Sequence, residues 1–270
     1  MNNTKLYMLD LDGTLYVGDR VIDGAVEKVK EIINEGKSVC YLTNNSTRGK
    51  KQYAERLTNM GFPNAAENIY SSGTSAVEYV KYNFPDNPVY VLGTAALRQE
   101  FSEAGVNVLP FSKNTELLSF PQNKINDIVT VAAFNTELNY DNLNVACHLI
   151  KHGCEYAATN PDRTCPTTYG FMPDCGSLLA FIEAFSGRLP SVICGKPFSI
   201  MADGIYKKYG VEPSGAVMVG DSISSDIRFA VNNGFKSVLV LSGGTDFRTA
   251  SESKIKADIV INSIRDLVIG

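Results

Sequence analysis

The chain has 270 residues, 44% of them hydrophobic and 20% charged, which is the composition of a water-soluble globular protein. A net charge of −4 leaves no electrostatic footprint for nucleic acid or an anionic membrane. No apolar run approaches the roughly 20 residues that span a bilayer, and the length predicts two domains or one elaborated domain.

No leader is expected before the first strand, so the cytoplasm is the expected address. That strand is the apolar run Leu6-Tyr7-Met8-Leu9, which ends in Asp10-Leu11-Asp12-Gly13-Thr14. Open α/β sheets place their sites at such strand tips. Residues i and i+2 of an extended chain point to one side, so Asp10 and Asp12 can face one crevice. Two carboxylates that close repel unless a cation or proton intervenes. A hard divalent cation with oxygen ligands answers this, Mg2+ being usual where phosphate is handled. The competing reading is a polar strand end running into an Asp-Gly turn, and this segment alone leaves both open.

Asp23-Gly24 leads into a helix over residues 25–35, with Val26, Val29, Ile32 and Ile33 on one face. A second strand, 38–43, ends in Thr43. Asn44-Asn45-Ser46-Thr47 then reads as the opening of a helix that runs to Met60-Gly61. This β-α-β-α order predicts a parallel sheet with right-handed crossovers. Asn83, Pro85, Asn87 and Pro88 mark a hinge into a further α/β segment. That segment has strands near 89–92 and 128–133 and a helix over 140–151. The core pattern resumes with strands expected at 191–194, 216–219, 237–241 and 258–261.

Three later features bear on Asp10 and Asp12. Thr43 closes the neighbouring strand, and the N–H groups of Asn44 and Asn45, at a helix mouth, would hold phosphate oxygens. Cys194-Gly195-Lys196-Pro197 ends a strand with a lone lysine, a compact point charge suited to phosphate and carboxylate. Val217-Met218-Val219-Gly220-Asp221 is a second acid-tipped strand, with Asp226 five residues on. Singly, Thr43 and Asp221 also read as helix caps and Lys196 as a solvated loop charge. Their common place at the ends of predicted parallel strands favours a shared site.

The set Asp10-Leu11-Asp12-Gly13-Thr14, Thr43, Lys196 and Gly220-Asp221 through Asp226 resembles the four motifs of the haloacid dehalogenase (HAD) superfamily. Only 32 residues separate Asp10 from Thr43, whereas 152 separate Thr43 from Lys196 and hold the extra α/β segment. That order resembles the type-IIA branch of NagD-like and 4-nitrophenylphosphatase-like phosphatases. The loop Ala158-Thr159-Asn160-Pro161-Asp162, with Pro173-Asp174-Cys175-Gly176-Ser177, is similar to the branch's cap signature. Many relatives carry arginine after Gly-Asp, where this chain has Ser222.

The resemblance implies a Rossmann-like parallel-sheet core over residues 1–81 and 179–270, helices on both faces, and an inserted α/β cap of C2 type over 82–178. It also implies Asp10 as the nucleophile, forming an aspartyl-phosphate, and Asp12 as general acid and then base. Mg2+ would be held by Asp10, the Asp12 carbonyl, Asp221 and Asp226. Thr43, Asn44 and Asn45 would bind the phosphoryl group and Lys196 would offset its charge. Thr159, Asn160 and Asp162, with Asp174, are expected to contact substrate from the cap.

The expected substrate is a small phosphomonoester, with neither nucleic acid nor membrane as partner; a homodimer through the cap is open. Alternatives are a phosphotransferase or a non-catalytic phosphometabolite-binding protein. The six cysteines show no metal spacing and are expected reduced. Ser242-Gly243-Gly244-Thr245 reads as a strand-to-loop turn. Ser71-Ser72-Gly73 reads as a helix start.

Overall fold

The computed structural model describes residues 4–110, 115–167 and 169–270. They form two compact units. The first comprises Met1–Thr43, Lys50–Tyr70 and Lys196–Gly270; the second comprises Asn44–Gly49 and Ser71–Gly195.

A six-stranded sheet organises the first unit, in the spatial order Ile259–Ile261, Lys236–Val240, Ala216–Gly220, Leu6–Asp10, Ser38–Thr43, Ile69–Ser71. Leu6–Asp10 is central and pairs in parallel with Ala216–Gly220 and Ser38–Thr43. Its five residues are all buried, as befits a parallel strand covered on both faces. Alternation divides the side chains between two cores. Tyr7, Leu9, Val39, Tyr41, Val217 and Val219 join Val29 and Ile32 of helix Ala25–Asn34 and Tyr53 and Leu57 of helix Lys50–Asn59. Leu6, Met8, Cys40, Leu42 and Met218 join Met201 and Ile205 of helix Ser199–Tyr209 and Phe229 of helix Arg228–Asn233. Helices on both faces of a parallel sheet are the expected α/β core.

The second unit has its own sheet, in the order Val192–Ile193, Glu155–Ala158, Val129–Ala132, Val89–Leu92, with parallel pairing throughout. Tyr90, Leu92, Ala132 and Tyr156 pack with Leu143, Ala146 and Ile150 of helix Tyr140–Lys151 and with Leu179 and Ile182 of helix Cys175–Ser186. Thr164–Thr167 and Gly170–Pro173 form an antiparallel hairpin.

Two expectations, a strand and a helix, are corrected. The two compact units part at Tyr70/Ser71 and Gly195/Lys196. Helix Ser72–Asn83 packs on helix Ala95–Glu103, and helix Cys175–Ser186 packs on helix Tyr140–Lys151, so both belong to the second unit. The strand expected at 191–194 is only Val192–Ile193, and it pairs with Ala157 and Ala158 in the second sheet. The helix expected from Asn44 begins at Lys50. Asn45 Oδ1 accepts from the N–H and the hydroxyl of Thr47 at 3.0 and 2.7 Å, a local turn that competes with helix.

All six cysteines are free, and Cys165 alone is not fully buried. Among the described residues, no helix is long and apolar enough to cross a membrane. His148 and His152 stack with ring centroids 4.2 Å apart, and no third metal-ligating group joins them among the described residues.

Candidate active site

Register brings the site residues of the first unit to one sheet edge. Asp10 is the last residue of the central strand and lies opposite Leu42, so Thr43 is one step beyond it. On the other side Leu9 lies opposite Val219, so Gly220-Asp221 runs on past the same edge. After Leu11 the chain turns: Gly13 N–H donates to the Tyr16 carbonyl at 2.8 Å, and Leu15 N–H to the Leu11 carbonyl at 2.9 Å. Gly13 has φ +87°, which glycine adopts without strain. Asp12 is half-buried and bridges to Tyr16 through its backbone.

Lys196 ties this edge together. Its Nζ lies 2.6 Å from Asp10 Oδ1 and 2.7 Å from Asp226 Oδ1, with 1% of its surface exposed. Asp226 comes from a single wide turn, Ile223–Ile227, of the kind found at functional sites. Its other oxygen accepts from Ser222 N–H at 3.0 Å, while the Ser222 hydroxyl accepts from Ser225 N–H at 3.3 Å. Ser222 thus serves the turn that presents Asp226. A Cβ on Gly220 would collide with the Asp226 carboxylate, so glycine is required there.

The electrostatics are unbalanced. Asp10, Asp221 and Asp226 are buried, with carboxylate oxygens within 4.8 Å of one another, and Lys196 is the cation bonded among them. Burial, reinforced by Asp226 and Asp221, holds Asp10 well above the usual carboxylate range despite Lys196. Burial, then Asp226, pushes Asp221 up to about 7 against the Gly244 N–H and Lys196. Burial works against the charge on Lys196, but Asp10 and Asp226 outweigh it and hold the lysine above its ordinary value. Three clustered carboxylates against one ammonium form an oxygen-rich set with residual negative charge. A hard divalent cation fits that set.

Glycines of the Ser242–Thr245 turn contribute more than their sequence suggested. Gly244 N–H donates to Asp221 Oδ2 at 2.5 Å, and the Ser242 hydroxyl donates to the Gly13 carbonyl at 2.8 Å. A Cβ on Gly243 would collide with the Asp221 carboxylate and with Gly13 Cα. The legible signal was a Gly-Gly pair just past a strand at the site's edge of the sheet.

The remaining expected site residues lie in the second unit. Asn44 Nδ2 donates to Asp162 Oδ2 at 2.8 Å. Thr159 and Asn160 are fully buried and bonded to each other at 2.9 Å. Asn160 Nδ2 donates to Asp174 Oδ1 at 3.1 Å, and Asp174 caps helix Cys175–Ser186 by accepting from Cys175 N–H. Burial pushes Asp174 up to about 7 against the Cys175 and Asn160 donors. Thr159 and Asn160, expected to meet substrate, are therefore enclosed by partners of their own unit. Asn45 is committed to the Thr47 turn described above.

Comparison with known proteins agrees with this geometry. A model described as haloacid dehalogenase-like hydrolase matches residues 7–107, and a HAD-hydrolase-like model matches residues 193–267. The chain is 29% identical to 5'-nucleotidase YutF of Bacillus subtilis over 268 residues, covering 99% of each. It is 31% identical to phosphoglycolate phosphatase 2 of Arabidopsis thaliana over 283 residues, covering 99% of this chain and 93% of that one. The crystal structure of 4-nitrophenylphosphatase from Thermotoga maritima matches with TM-score 0.89 and 32% identity, covering 98% of this chain and 96% of that one. With an Asp-Leu-Asp strand tip, a buried lysine and two further acids on one parallel-sheet edge, the chain belongs to the haloacid dehalogenase-like hydrolases, in the branch of NagD-like and 4-nitrophenylphosphatase-like phosphatases.

Proposed function

We propose that the protein is a Mg2+-dependent phosphomonoesterase that hydrolyses small phosphorylated metabolites through an aspartyl-phosphate, an acyl phosphate formed on Asp10. The observation that carries the reading is the buried Lys196, bonded to both Asp10 and Asp226 beside Asp221. Names of relatives point to nucleoside monophosphates, phosphoglycolate and 4-nitrophenyl phosphate as the classes to try first.

Asp10, Asp221, Asp226 and the Asp12 carbonyl would hold Mg2+. When bound, the ion neutralises charge on the phosphoryl oxygens and keeps the carboxylates ionised. Asp10 attacks phosphorus, and the bond to the leaving oxygen breaks as Asp12 gives that oxygen a proton. Asp12 then takes a proton from the water that displaces phosphate from Asp10. Lys196 fixes the Asp10 carboxylate and offsets its charge. Thr43 and the peptide of Asn44, with Asn45, hold the transferring group. An acid at position 12 favours an oxygen leaving group, which needs a proton.

The test is phosphate release from a panel of phosphomonoesters with Mg2+ or EDTA, using wild type and Asp10→Asn. The expected result is metal-dependent release by wild type and none by the variant. Equal release by the two proteins contradicts the reading.

A further inference from the structure

Asn44 follows Thr43 directly, and the second unit holds it at three points. Its Nδ2 donates to Asp162 Oδ2 at 2.8 Å. Its carbonyl accepts from the Ser72 hydroxyl at 2.6 Å in a buried bond. Its Oδ1 lies against Gly195, where an added Cβ would stand only 2.6 Å from it. The Asn44 side chain therefore has little freedom, and Asp162 supplies the one charged partner among these contacts.

Asp162 is itself built into a polar chain. The oxygen that receives Asn44 also accepts from Asn160 Nδ2 at 3.3 Å, and Asn160 continues to Asp174 at the helix cap. Thr159 Oγ1 reaches Asn160 on one side and Ser46 Oγ on the other, the latter at 3.1 Å. Ser46 Oγ accepts from Phe134 N–H at 3.2 Å. Residues 159–162 thus grip the 44–49 segment at two points, Asn44 and Ser46. A carboxylate suits position 162 because it only accepts and can serve two carboxamide donors with none of its own to satisfy. A bond to a charged acceptor is also stronger than a neutral one.

We infer that Asp162 is a positioning residue: through Asn44 it fixes the Thr43-Asn44 peptide against which the phosphoryl group is bound. The inference rests on the phosphatase reading. It gives the Asn-Pro-Asp loop a role inside the protein rather than at the substrate's leaving group. A displacement of about 1 Å in a group that holds the reacting centre costs on the order of 100-fold in rate, so a side chain without contact to substrate can matter this much.

The test uses full-length Asp162→Ala and Asp162→Asn, with Asn44→Ala and the Asn44→Ala/Asp162→Ala double variant. Each is measured for turnover of 4-nitrophenyl phosphate and of a bulkier phosphomonoester, and for competitive inhibition by inorganic phosphate. Asp162→Ala is expected to lower kcat/KM about 10- to 100-fold for both esters and to weaken inhibition by inorganic phosphate. Asp162→Asn, which keeps an acceptor, should recover most of the loss. In the Asn44→Ala background, removing Asp162 should have little further effect. Should Asp162→Ala fail to fold, Asp162→Leu, which also lacks an acceptor at near-native volume, carries the same test, and unchanged phosphate inhibition in it overturns the inference. Wild-type-like phosphate inhibition in Asp162→Ala, with only KM for the bulkier ester raised, assigns Asp162 to substrate contact and overturns it too. A wild-type protein that binds phosphate but releases none from any ester overturns the phosphatase reading instead.

Discussion

Lys196 and Asp10 stand 186 residues apart in the chain, and the fold brings the ammonium of one to 2.6 Å from the carboxylate of the other. The same ammonium reaches Asp226 at 2.7 Å, so one side chain compensates two buried acids. Lys196→Met should leave both carboxylates buried without a cation, at a cost of about 3–5 kcal/mol in stability. Urea unfolding in EDTA should show the loss shrinking as pH falls and Asp10, held above the usual carboxylate range, takes up a proton. A pH-independent loss below about 1 kcal/mol would show that the pair contributes little.

Cation binding should be linked to protons. Asp221 is raised to about 7, chiefly by burial, so near neutral pH part of the cation-free protein carries a proton there. A divalent ion binds the ionised form, hence Mg2+ affinity should rise as pH increases through about 7 and level off above it. Calorimetry in buffers of different ionisation enthalpy would detect the released proton. Identical affinity at pH 6 and pH 8 would argue that Asp221 is not a ligand.

Gly243→Ala tests the close approach of two loops. The added methyl collides with the Asp221 carboxylate and with Gly13 Cα, next to Gly13 in its left-handed conformation. The expected outcome is a loss of Mg2+ affinity together with a fall in kcat of about 10-fold or more. Gly36→Ser, at a helix end where an added Cβ meets nothing within 4 Å, should leave both unchanged, at the cost of some backbone strain at φ +73°. The two variants are compared by activity against added Mg2+.

Asp174 provides a pH signature in the second unit. Its folded value of about 7 lies above the ordinary 3.8, with burial as the main cause. Between those values the folded state keeps a proton that the unfolded state loses. This contribution is therefore complete below about 3.8 and lost as pH rises through about 7, by about 4 kcal/mol at most. Asp174→Asn preserves a capping oxygen and removes the titration. The stability difference between variant and wild type should grow in the variant's favour from pH 4 to pH 8. A constant difference would contradict the assignment.

The sheet and its acid-tipped strands were legible because parallel strands buried on both faces read as continuous apolar runs. Leu6–Asp10 and Ala216–Gly220 both do so. Helix Tyr140–Lys151 was legible from its apolar periodicity. Lys196 was legible as a residue but not by its support, because Val192–Ile193 is a two-residue strand of the other sheet. Local patterns carry no information about which sheet a short strand joins. The segment 44–49 was misread as helix because its Asn and Ser side chains cap their own backbone or reach residues more than 80 positions away. Gly243 and Gly244 act through loop approach, which leaves no periodic trace.

In the proposed reaction Asp10 carries the phosphate during turnover. Wild type and Asp10→Asn would be quenched in acid during turnover of a good substrate with Mg2+, and their peptides analysed by mass spectrometry. Phosphate is expected on the peptide containing Asp10 in wild type and on no peptide of the variant, which should also be inactive. Steady turnover in wild type with no phosphate at Asp10, or full activity in the variant, would contradict it.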